Sequence, residues 1–104
     1  MPVEGVSIRK LRAIPLPDMK RVTVEVELSP FAEYPHLDIS LLSADGGMVA
    51  NMFVVEARDP VMALTLHLRQ AEPGALYTAR LAVLRGEEAL DQREVTFTLH
   101  KEGQ

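Results

Sequence analysis

One hundred and four residues with 47% hydrophobic and 25% charged content describe one small globular domain, residues 1–104, with no room for a second and no compositional sign of disorder. Cysteine is absent, which excludes a disulfide, a thiolate nucleophile and a Cys-ligated zinc site; tryptophan is absent too, so stability must come from an aliphatic core or from a partner surface. The net charge of −4 argues against nucleic acid as a general partner.

The charge is uneven. Residues 1–21 carry Arg9, Lys10, Arg12, Lys20 and Arg21 against Glu4 and Asp18, which reads as an edge strand kept soluble by cations. Met1 to Lys10 has no apolar stretch of the kind a secretory signal needs, and no run approaches the roughly twenty apolar residues of a membrane span. The expectation is a cytoplasmic protein with no membrane partner.

Along the chain the pattern has period two. Val6 and Ile8 share one parity and Leu11 and Ala13 the other, so the first strand is expected to bulge near Arg9 and Lys10 before Pro15 and Pro17 end it. Val22, Val24, Val26 and Leu28 then alternate with Thr23, Glu25 and Glu27, a half-buried strand with a charged outer face. Two apolar runs, 36–43 and 48–56, flank Ala44-Asp45-Gly46-Gly47, a hairpin signal. A two-residue turn at Asp45-Gly46 sets Leu41 against Ala50, Ile39 against Met52 and Leu37 against Val54, all inward; a three-residue turn would mix the faces. Met62, Leu64, Leu66 and Leu68 form the fifth strand, Tyr77, Ala79, Leu81 and Val83 the sixth, and Val95, Phe97 and Leu99 the seventh. Gly86 to Arg93 is expected as a loop with one helical turn. Seven strands with prolines between them predict an all-β, antiparallel sandwich.

Pro73-Gly74-Ala75-Leu76-Tyr77, followed by the alternating sixth strand, resembles the tyrosine corner of fibronectin type III domains. The resemblance implies a seven-stranded immunoglobulin-like sandwich in which the Tyr77 hydroxyl closes back on the preceding turn. The family's usual second-strand Trp is replaced here by Val24 and Val26, and the Leu six residues before the Tyr by Ala71, so the kinship implied is one of fold.

No nucleophile elbow, phosphate loop, dinucleotide motif or helical zinc motif occurs, so no catalytic residue, cofactor or metal is assigned and an enzyme is not expected. His67 and Arg69 are expected on the outer face opposite Glu25 and Glu27, and His100 at the surface. His36 and Asp38 have the i, i+2 spacing of two ligands on a strand, too few for a metal site.

Two surfaces remain. Threading the strands up and down brings three loops to one end, where Phe31, Glu33, Tyr34, His36, Asp59, Glu87 and Glu88 are candidates for binding a small ligand or carbohydrate, unless the aromatics serve to plug the core. On the outer sheet face, Leu42, Val49, Phe53 and Leu84 are candidates for an interface. The leading expectation is a non-enzymatic domain acting through protein contact, as a homodimer or an accessory module.

Overall fold

The computed structural model describes residues 6–69 and 71–99. Its seven strands are β1 (Ile8–Pro15), β2 (Arg21–Leu28), β3 (His36–Leu42), β4 (Met48–Val54), β5 (Val61–His67), β6 (Leu76–Arg85) and β7 (Glu88–Thr98). They form two antiparallel sheets, ordered β1-β2-β5 and β4-β3-β6-β7, as the fibronectin type III resemblance implies. The expected all-β immunoglobulin-like sandwich is therefore the fold.

Alternation builds the core. Val22, Val24 and Val26 of β2 are sealed from solvent, as are Leu37, Ile39 and Leu41 of β3 and Ala79, Leu81 and Val83 of β6. The two inner faces meet in one cluster that also takes in Ile8, Leu11, Leu66, Tyr77, Phe97 and Leu99. The Tyr77 ring stacks on Phe97, with centroids 5.6 Å apart, and its hydroxyl accepts the Glu72 N–H at 3.0 Å. This is the tyrosine corner. Gly74, at φ +79°, makes the turn before it and gives its N–H to the Leu99 carbonyl.

The first-strand bulge falls at Arg9, where the β1–β2 register shifts between Ile8 and Lys10. The β3–β4 hairpin keeps the expected pairs Leu37–Val54, Ile39–Met52 and Leu41–Ala50, but reaches them by another route. Its turn has three residues: Ser43 N–H donates to the Gly47 carbonyl, Gly46 N–H donates to the Ser43 carbonyl, and of the two expected turn residues only Gly46 has positive φ. A bulge at Val49, where Leu41 pairs with Ala50 and Leu42 with Met48, then restores the register.

Besides the length of the hairpin turn, two further expectations are corrected. Gly86 to Arg93 holds no helical turn, because Arg85 pairs directly with Glu88 across a two-residue turn, with Gly86 at φ +59°, and β7 runs from Glu88. Pairing along β6 overrides the modest helix propensity of Glu87-Glu88-Ala89-Leu90. His67 lies opposite Arg21, and Arg69 lies past the end of β5, because β2–β5 pairing runs from Arg21–His67 to Glu27–Val61. Glu25 instead takes Arg12 of β1 at 3.3 Å. His100 lies outside the described residues.

Candidate functional site

At one end of the sandwich the loops after β2, β4 and β6 gather. Ala57 N–H donates to the Pro35 carbonyl, Leu28 N–H to the Pro60 carbonyl, and Arg85 stands 3.8 Å from Glu33. Phe31 is half-buried against the core and meets Tyr34 edge-on at 6.3 Å, so Phe31 plugs the end of the sandwich. Tyr34 is exposed, with the Arg58 guanidinium 4.8 Å above its ring. Asp59, Glu87 and Glu88 are all exposed.

The cleft between these loops holds about 110 Å³ and is lined by Val6, Glu33, Tyr34, Pro35, His36, Arg85, Gly86 and Leu90. Pockets that enclose small ligands run to roughly 300–1,000 Å³. Of the candidate ligand residues, Glu33, Tyr34 and His36 line this cleft; Phe31, Asp59, Glu87 and Glu88 do not.

His36 is occupied by structure. Its Nδ1 accepts the Glu56 N–H at 3.0 Å, and Glu56 sits at φ +53°, a left-handed conformation held by this bond and by its neighbour Ala57. The acceptor role fixes the proton of a neutral His36 on Nε2. Asp38 accepts from the Asn51 side chain at 2.8 Å. Among the described residues no three His, Asp or Glu side chains gather as a metal site.

The four interface candidates do not form one patch. Val49, in the bulge, packs against the core rather than facing outward. Leu42 faces outward but is only 9% exposed, between Met48 on β4 and Thr78 on β6. A polar band separates it from the others: the Asn51 side chain also reaches the Ile39 carbonyl and Ser40 Oγ at 3.1 Å, and Arg80 pairs with Glu94 at 2.6 Å. Beyond that band Phe53 stacks on His36 with centroids 5.8 Å apart, and His36 is opposite Leu84. Phe53 remains 50% exposed. His36 thus joins the two surfaces that the sequence treats separately: it lines the loop cleft and supports Phe53.

The strand edges carry a feature that the sequence reasoning missed. β4 and β5 end their respective sheets on the same flank, and the gap between them is a groove of about 760 Å³ lined by Met48 to Met52, Thr65, Leu66, His67 and Arg69. Two smaller hollows adjoin it, one including Lys20 and the other Glu72, and all three share Arg69. The signal was present in the letters, since neither Met48–Val54 nor Val61–His67 contains a Lys, Arg, Asp or Glu.

No protein family's sequence profile matches the chain, nor does the sequence of any curated protein. Solved structures do match in shape. A Bifidobacterium dentium β-glucuronidase, solved with coumarin-3-O-glucuronide, superposes at a TM-score of 0.74 and 18% identity over 91% of this chain. A Ruminococcus gnavus β-glucuronidase, solved with D-glucaro-δ-lactam, does so at 0.64 and 18% identity over 90%. The chain spans 18% and 16% of those two proteins. No helix among the described residues is long and apolar enough to cross a membrane. At this identity the likeness is one of fold: the chain is an immunoglobulin-like β-sandwich of the kind that makes up about a sixth of those larger proteins.

Proposed function

We propose that this chain is a non-catalytic immunoglobulin-like module that works by protein contact, as a homodimer or as an accessory part of a larger assembly. The observation that carries the reading is Phe53, a large apolar ring left half exposed while His36 and the Glu56 backbone hold it in place. An aromatic fixed at a surface before binding loses little rotamer entropy on contact, which is the property of an interface anchor. The size of the domain relative to the β-glucuronidases it resembles supports a role as a module within a larger body.

Light scattering after size exclusion tests the self-contact form. At high micromolar concentration the native chain is expected as a dimer and Phe53→Asp as a monomer that still unfolds cooperatively, without the concentration-dependent rise in melting temperature that dimerisation gives the native chain. A native monomer, indistinguishable from the variant, would refute the homodimer.

A further inference from the structure

Four strand edges bound the two sheets, and they are treated differently by the sequence. β1 carries Arg9, Lys10 and Arg12 and a bulge; β7 carries Glu88, Asp91, Arg93 and Glu94. Those are the devices that stop an edge from recruiting another strand. β4 has the bulge at Val49 but none of the charges, β5 has neither, and the two strands contain no proline and stand together on the open flank. Through the groove between them Val49, Ala50 and Met52, side chains that pack against the core, are only partly covered.

We propose that the β4 edge accepts an extended segment of a partner polypeptide as an additional strand, with alternate apolar side chains entering the groove and a carboxylate meeting Arg69. Main-chain hydrogen bonds to Met48–Met52 supply the affinity, over about 17 Å of extended chain. The charge of the groove selects the occupant. Of the residues lining it, only Arg69 carries a full charge, His67 is the other titratable group, and the adjoining hollow adds Lys20. Arg69 and Lys20 make no ion pair among the described residues. Of the nearby acids, Asp18 is paired with Arg21 at 2.7 Å; Asp45 and Glu72 keep their charge but line the third hollow and not the groove itself. An acidic group is therefore the complement of the groove, whose lining holds one cation and no acid.

The test uses the intact chain and an N-acetylated hexapeptide of alternating valine and threonine ending in glutamate, with binding followed by amide chemical shifts. Shifts are expected at Met48 to Met52 and at Arg69. The same peptide N-methylated at alternate amides should not bind, because it cannot donate along the edge. Arg69→Glu, an exposed substitution, should weaken binding about tenfold, whereas Arg93→Glu on the opposite flank should leave it unchanged. The proposal is overturned by an absence of shifts at about 1 mM peptide, by shifts confined to β1 or β7, or by equal binding of the N-methylated peptide. Concentration-dependent shifts of the Met48–Met52 amides without peptide, persisting in Phe53→Asp, would also overturn it, because a second copy would then be the occupant of the edge. Because Phe53 lies on β4, that variant separates this outcome from self-association through Phe53.

Discussion

The two flanks of the sandwich solve the same problem in opposite ways. On one, β1 packs along β7, and the Ile8 N–H donates to Asp91 Oδ2 at 2.7 Å, so the two sheets are tied where their edges meet. On the other, β4 and β5 face each other across an open groove with no charged residue on either strand. The closed flank keeps its charges although it is already covered, while the open flank lacks them although it is not. An edge without charges is tolerable where something else covers it, and this asymmetry is the ground on which the β4 edge is proposed to take a partner strand.

Truncations break the comparison most directly. Ile8→Ala, at a site 2% exposed beneath the closed flank, should cost about 2–5 kcal/mol in urea unfolding. Met52→Ala removes a side chain of similar size from the half-open flank and should cost less than half as much. Equal losses would mean that the groove is as tightly packed as the core. Asp91→Ala comes next. It leaves the Ile8 N–H without its carboxylate, and an expected loss of about 1–3 kcal/mol measures how much one tie contributes to closing that flank. A negligible loss would locate the closure in the apolar contacts alone.

The smallest effect is in acid. Asp18 is held below its ordinary value near 3.8, first by the Lys20 N–H and then by the Arg21 side chain. Asp45 is lowered likewise, by the Ser43 hydroxyl and then the Gly47 N–H. Because both carboxylates bind protons less readily in the folded chain than in the unfolded one, their contribution is present above pH 3.8 and is lost as pH falls through the lower folded values. Replacing both by Asn should flatten the fall of the urea midpoint below that pH. As the two turns border the Arg69 hollows, an undiminished acid slope in this variant would place the acid-sensitive groups elsewhere.

Much of the fold was legible because period-two alternation has one physical cause, a sheet with one dry face. Val22-Thr23-Val24-Glu25-Val26 needs no tertiary information to be read correctly, and Tyr77 announces its own turn through Pro73 and Gly74. What failed was what alternation does not encode. The offset between β2 and β5, distant in sequence, is set by packing of the two sheets, so His67 came to rest beside Arg21 rather than Glu25. The segment Glu87 to Leu90 has helical letters but lies against β6, and pairing prevails. At the candidate surfaces, loop convergence followed from strand direction, whereas the division of the outer face by Asn51 and Arg80 depended on side-chain bonds that spacing cannot reveal. Val49 was placed outward by a parity count that a bulge resets.

That bulge has a consequence for how this hairpin tolerates changes of length. Removing Val49 would leave Leu41 opposite Ala50, Leu42 opposite Met48 and Ser43 opposite Gly47, which is an unbroken ladder closed by the same turn. The strand therefore holds one residue in reserve. A single deletion here would shorten the β4 edge and remove one side chain that borders both the groove and the core, while every other pairing in the hairpin stayed in step.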